Sequence, residues 1–322
     1  MKVDDAALDT SDALPSLSVV ITTYGRPDLL PSVLEAVLAD PYPHEVVVVV
    51  DGCPHGSYDV VKRLAAHQPR LRPVWQENAG AAAARATGVA HASGEVVLLL
   101  DDDVLAGPGL AEGHARAHAG RSNLVVVGAL DTVPPPRRAP GDVTTLLYIE
   151  DYERARARYL RDPSSVLAHL WAGNVSLRRA DALRVGLAAG VRLHRHNDQE
   201  FGLRCVRAGL AGVFDPTLAA RHLHRRNLGS FARQAWHAGA ARRRLGDGYP
   251  DLLPNTDPRA DLPAAIRYAV TLAAAPGLHR LTRPLLAGGL RLAGLARLWP
   301  LETALARLLR QVELLRGYLG RP

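Results

Sequence analysis

Two uninterrupted apolar runs, VVVVV at 46–50 and VVLLL at 96–100, constrain this chain more than anything else in it. Both are short for a buried helix and lack the alternation of a strand wetted on one face. They suit strands covered on both faces, as in a parallel sheet with crossover helices. Each run also ends in acid: Asp51 follows the first, and Asp101, Asp102 and Asp103 follow the second. Ligands of an open parallel sheet bind in the crevice beyond the carboxyl ends of its strands, so all four carboxylates are expected on the ligand edge.

The surrounding pattern extends this reading. Strands are predicted at Leu17 to Thr22, Glu45 to Val50, Leu71 to Trp75 and Glu95 to Leu100, with helices at Asp28 to Ala39, Ser57 to His67 and Ala79 to His91. The segment VPPPRRAPGD, from Val133 to Asp142, can continue neither a helix nor a central strand and reads as a surface loop. A helical stretch around Leu146 to Leu160, a short segment WAGNVSLRR at 171–179, and a helix from about Asp198 to Gly209 come next, with Asp198 placed to cap the last.

From about Leu262 the chain is helical. Leu301, Leu305, Leu308, Val312, Leu315 and Leu319 recur opposite Glu302, Arg310, Glu313 and Arg316, which predicts a helix packed on the catalytic body in preference to one lying on a membrane surface. The expected organisation is α/β: a flexible acidic arm at 1–15, a first half of alternating strands and helices at 16–132, a second half at 133–240, and a helical extension at 241–322.

Composition narrows the partners. A net charge of +7 invites a polyanion, but Lys2 and Lys62 are the only lysines and the arginines are spread through helices. No basic block with interleaved aromatics forms, so nucleic acid is not expected. Cys53 and Cys205 are too few for a disulfide framework, which suits a reducing cytoplasm. The early residues, with Asp4, Asp5, Asp9 and Asp12, do not read as a signal peptide, and no apolar run is long enough to span a membrane.

Three adjacent carboxylates repel one another unless a cation neutralises them. Mg²⁺ and Mn²⁺ take oxygen ligands and bridge carboxylates to substrate phosphates. Asp101 and Asp103, two residues apart, would face one side, and Asp102 another. Asp51 is expected to accept hydrogen bonds from a base or ribose. The glycine motifs GxGxxG and GxxxxGK[ST] are missing, which disfavours a nicotinamide dehydrogenase and a P-loop NTPase. LLLDDDV also fits the nucleophile motif of haloacid-dehalogenase-type phosphatases, but those enzymes use a downstream Lys and none follows Lys62.

Taken in order, SVVITTYGRPDLLPSVLEAVL, EVVVVVDG, NAGAAAARATG and GEVVLLLDDDV resemble the nucleotide-sugar half of glycosyltransferase family 2, with its GT-A fold. AGNVSLRR and NDQEFGLRCVRAG resemble its acceptor half, and the likeness runs from about residue 17 to 240. The resemblance implies that Thr22, Tyr24 and Arg26 line the base pocket and that Asp51 contacts the base. Asn78, Gly80, Arg85 and Gly88 match the helix beside the ribose and diphosphate. Asp101 and Asp103 match the two acids of the DxD motif, Asp103 being the direct metal ligand and Asp101 and Asp102 facing the donor. His222 and His224 fall where some relatives supply a histidine to the metal or the diphosphate. Gly173 and Asn174, with Trp171 beside them, match the acceptor side, and Asp198 matches the general base. Asn197 stands where the family usually has Glu, and Ala86 where Asn often follows the Arg.

The implied reaction is an inverting transfer of sugar from a nucleoside-diphosphate sugar, UDP-linked, to an acceptor hydroxyl, assisted by Mn²⁺ or Mg²⁺. The acceptor could be a small molecule, a lipid-linked species or a glycan. The expected location is the cytoplasm, at the inner face of the membrane if the C-terminal helices touch it. A segment from Arg225 to Ser230 is expected to act as a lid, with Arg225 or Arg226 near the departing diphosphate. Rival readings are a sugar nucleotidyltransferase, a phosphatase, and a noncatalytic nucleotide-binding module.

Overall fold

The computed structural model describes residues 13–42, 44–188 and 193–321. Most of the expected N-terminal arm, residues 1–12, lies outside them. The elements run β1 (Leu17–Thr23), α1 (Leu30–Leu38), β2 (Glu45–Asp51), α2 (Ser57–Ala65), β3 (Leu71–Gln76), α3 (Ala81–His91), β4 (Val96–Asp101), β5 (Val104–Ala106), α4 (Leu110–Ala117) and β6 (Leu124–Thr132). There follow α5 (Val143–Arg161), β7 (Asn174–Arg178), α6 (Arg179–Val185), α7 (Asn197–Arg207), β8 (Ala211–His222), α8 (Leu228–Gly248), α9 (Ala264–Ala273), α10 (Pro276–Leu295) and α11 (Trp299–Tyr318).

Two compact units emerge. The first comprises residues up to 133 together with 155–191 and 201–224, and the second comprises 134–154, 192–200 and 225–322. This division runs through the segment expected to bind the acceptor.

The first unit holds one sheet of order β3-β2-β1-β4-β7-β6-β8-β5. Strands β3, β2, β1 and β4 are mutually parallel, as the two apolar runs require. Strand β7 then pairs antiparallel with β4 and β6, while β8 runs parallel to β6 and antiparallel to β5. Val46 to Val50 and Val96 to Leu100 are all buried, each such side chain contributing on the order of 1.5–3 kcal/mol. Gly88 of α3 lets helix and sheet meet closely, since a Cβ there would lie 2.3 Å from Val20 Cγ1.

The sequence reading assigns no strand to β5, β6, β7 or β8. Strand β8 carries Gly212 and Pro216, its burial alternates only from Leu218 to His222, and a register shift at Gly128/Ala129 interrupts its ladder with β6.

In the second unit, Val143, Leu147, Phe231, Leu290, Ala306 and Leu309 form a core, and Val270, Ala274, Val312 and Leu315 form another. Here the expected polar face of α11 is corrected. Glu302, Glu313 and Arg316 are buried, while Leu301 is exposed. Glu302 accepts from Arg138 Nη2 at 2.9 Å and Gly141 N at 3.0 Å, and Glu313 accepts from His279 Nε2 at 3.0 Å. Buried partners thus reverse the face that periodicity alone would give to solvent.

Candidate active site

Strand β4 delivers Asp101 to the sheet edge, and the turn after it sets the next two acids apart. Asp101 Oδ1 meets Arg85 Nη2 of α3 at 2.6 Å. Its backbone N–H donates to Gly173 O at 3.3 Å. Asp102 lies 3.3 Å from Arg26 Nη1, and burial pushes its carboxyl up to about 6 despite that cation.

Asp103 gathers the most partners. His222 Nε2 donates to its Oδ1 at 3.0 Å, His224 Nδ1 donates to Oδ2 at 3.3 Å, and Arg26 Nη1 stands 2.5 Å from Oδ2. Burial opposes the charge on this buried carboxylate, yet these hydrogen bonds and the histidine and Arg26 charges hold it well below the usual carboxylate range. The histidines arrive through sheet pairing: Val104 of β5 faces His222 of β8, and Leu223 N donates to Asp103 O at 2.8 Å. The two imidazoles stack with centroids 5.0 Å apart.

Ligand atoms of Asp103, His222 and His224 lie within 4.8 Å of one another, a spacing that could hold a metal ion. One carboxylate and two imidazoles suit a first-row transition ion such as Mn²⁺ better than Mg²⁺, which prefers oxygen donors. Thr132 Oγ1, 3.5 Å from His222 Nδ1, is placed to steady that ring.

On the neighbouring strand, Asp51, expected to present its carboxylate to a base, is buried and engaged. Oδ1 accepts from Gln76 Nε2 at 2.7 Å and Ala79 N at 2.9 Å, and Oδ2 accepts from Gly80 N at 2.9 Å. Asn78 Nδ2 in turn donates to Asp51 O at 3.0 Å. In this structure Asp51 therefore fixes the loop that opens α3. Thr22 pairs with Asp101 across β1 and β4, and Tyr24 is exposed just beyond the strand end.

Three expectations are corrected. Asn174, expected on the acceptor side, is buried: its Nδ2 donates to Ala129 O and Leu218 O, and its Oδ1 accepts from His114 Nε2. Both hydrogens and the oxygen of that amide are engaged inside the first unit, so it ties strands together. Its neighbour Gly173 stays at the edge beside Asp101, and Trp171 packs partly buried against the core.

Asp198 does not cap α7. It sits inside the first turn, where its Oδ1 accepts from Gln199 N at 3.0 Å, while His196, with φ of 62°, supplies the carbonyl that starts the helix. The third concerns the expected lid. Leu228 to Ser230 already form the first turn of α8, capped by Asn227 Oδ1 on Ser230 N at 2.9 Å. Arg226 is stacked 4.5 Å over the Tyr148 ring, and burial together with nearby Arg195 lowers its pKa to about 10.

Sequence reasoning missed that Arg26 pairs with the acids; its place two residues after Tyr24, on the loop leaving β1, was the available signal.

Comparison with known proteins agrees with this geometry. Residues 18–182 match the profile of the family described as Glycosyl transferase family 2. A validoxylamine A glucosyltransferase of Streptomyces hygroscopicus subsp. limoneus is 32% identical over 221 residues, covering 57% of this chain and 49% of the relative. An uncharacterized glycosyltransferase of Nostoc sp. is 37% identical over 89 residues, 27% of this chain and 28% of its own. This chain thus spans about half the length, or less, of these curated relatives. Among solved structures, a mannosyltransferase from Pyrobaculum calidifontis, in complex with GDP-Man and Mn²⁺, superposes with a TM-score of 0.55 at 20% identity, covering 99% of this chain and 92% of that one. That likeness shows the fold, which is GT-A. With parallel strands β3, β2, β1 and β4, an acidic triplet at their edge and a family match over half its length, this chain belongs to glycosyl transferase family 2.

Proposed function

We propose that this chain moves a glycosyl group from a nucleoside-diphosphate sugar, UDP-linked, to an acceptor hydroxyl with inversion of configuration. The carrying observation is the convergence of Asp103, His222 and His224 at the carboxyl edge of the parallel strands, where a diphosphate and a divalent cation would share one site. When bound, Mn²⁺ or Mg²⁺ supplies Lewis-acid stabilisation to the departing diphosphate.

The chain's own residues do the rest. Asp103, ionised far below neutral pH, offers a permanent anion to the cation. Arg85 and Gly173 fix Asp101, and Arg26 keeps a positive charge beside the acids. Tyr24, exposed at the end of β1, offers a ring face for a base to stack on. Thr22 and Arg26 complete that pocket, and the loop held by Asp51 presents Asn78 and Gly80 towards the ribose. Asp198 takes the acceptor proton, an assignment that rests on the family resemblance of NDQEFGLRCVRAG. The acceptor is a small molecule, a lipid-linked species or a glycan. No described helix is long and apolar enough to cross a membrane.

The test is a thermal-shift panel of UDP, GDP and dTDP with and without Mn²⁺, followed by donor hydrolysis. UDP should stabilise the protein only with the cation, and Asp103→Ala should abolish that shift. Equal stabilisation with and without Mn²⁺ would overturn the shared site, and a retained anomeric configuration in the product would overturn the single displacement.

A further inference from the structure

The second unit contains a cavity of ≈ 920 Å³ that the proposed transfer does not use. Arg233 and Trp236 of α8, Arg280 and Arg283 of α10, Arg316 of α11 and the following Arg321 line it. Glu313, the acid in that lining, is already engaged by His279 Nε2 at 3.0 Å and Arg283 Nε at 3.2 Å. Arg316 is only 5% exposed; its Nη1 donates to Ala274 O at 3.3 Å, while its Nε is buried without a hydrogen-bond partner. Burial, followed by the Arg321 and Arg283 charges, lowers the Arg316 pKa despite Glu313. A cavity lined by several guanidinium groups and an unsatisfied buried N–H has the chemistry to hold an anion.

Helix α10 carries a second, independent feature. Leu281, Leu285, Leu292 and Leu295 are 63%, 72%, 68% and 71% exposed, and their spacing places them on one side of the helix. Arg280 and Arg291, also exposed, flank this stripe. Contiguous exposed leucine is uncommon on a soluble surface and marks an interaction face. A free phosphate would use the cavity but leave the leucines in water. A phospholipid headgroup with its bilayer surface satisfies both, and the arginines supply the complementary charge.

We propose that the C-terminal unit docks on an anionic phospholipid surface, the arginine-lined cavity taking the headgroup phosphate and the leucine face of α10 resting at the acyl boundary. The proposed sugar transfer assigns no role to either feature, so the inference stands or falls separately from that reaction.

Co-sedimentation of the full chain with vesicles provides the test, using phosphatidylcholine alone and phosphatidylcholine mixed with phosphatidylglycerol. The mixed vesicles should bind the protein at least tenfold more tightly, with binding weakened by salt. Arg233→Ser combined with Arg280→Ser should reduce that binding roughly tenfold. Leu281→Ser with Leu285→Ser should reduce vesicle binding too, yet leave unchanged the part of pyrophosphate binding to metal-free protein that Arg233→Ser with Arg280→Ser removes, measured by calorimetry. Circular dichroism melts establish that each variant folds. Pyrophosphate binding with vesicle binding indifferent to the leucines would show a soluble-anion site and overturn the proposal. Equal affinity for both vesicle types, no vesicle binding, or a lipid-free dimer that dissociates in the leucine variant would overturn it as well.

Discussion

Arg26 Nη1 stands 2.5 Å from Asp103 Oδ2, on the carboxylate that His222 and His224 share. A guanidinium therefore holds the charge position that a cation would take. Arg26→Gln should raise the affinity of the nucleotide-free protein for Mn²⁺ by roughly two- to fivefold, the scale of one partly exposed ion pair. Isothermal calorimetry with MnCl₂ reads this directly, and unchanged affinity would show that the guanidinium does not compete.

Gly173 has φ of 125°, and a Cβ on it would come 2.9 Å from Leu130 Cδ2 and 3.0 Å from Asp101 Oδ2. Gly173→Ala should cost about 1–3 kcal/mol of stability and displace Asp101. Turnover at saturating donor should fall by tenfold or more in protein that still melts cooperatively. Full activity would separate Asp101 from donor placement.

Asp198→Asn should abolish glycosyl transfer while leaving Mn²⁺-dependent nucleotide binding within a few-fold of the native chain. Turnover by this variant at more than a few per cent of native would remove Asp198 from the base role.

His114 and His118 form a buried chain with Ser176: His114 Nδ1 lies 2.8 Å, and His118 Nε2 2.9 Å, from its Oγ. Burial lowers both pKa values to about 4, against 6.5 for the ordinary imidazole. Below about pH 6.5 the unfolded chain takes up protons that the folded chain refuses, so stability falls as pH drops towards 4 and is indifferent above that window. The loss should approach about 3 kcal/mol per histidine at the acid end. Urea midpoints at several pH values should show this slope, and His118→Gln should flatten it.

Glu302 is 1% exposed and paired with Arg138 at 2.9 Å. Glu302→Ala leaves Gly141 N and a half-buried Arg138 without their acceptor, so it should cost about 1–3 kcal/mol. Arg138→Met together with Glu302→Leu should recover much of that loss in urea melts.

What the sequence determined by itself was local. VVVVV and VVLLL are apolar on both faces, which suffices for covered parallel strands, and an acid directly after such a strand must lie on the ligand edge. The first four strands and Asp101 to Asp103 were legible for that reason. Tertiary structure decided everything that depends on pairing distant segments. His222 reaches Asp103 only because β5 pairs with β8, and Asn174 is withdrawn into the sheet because His114, Ala129 and Leu218 converge on its amide. The same holds for α11, where Glu302 faces inward because Arg138 waits there. Periodicity reports which side chains prefer water, but a buried charge obeys its partner, and partners far along the chain leave no trace in local pattern.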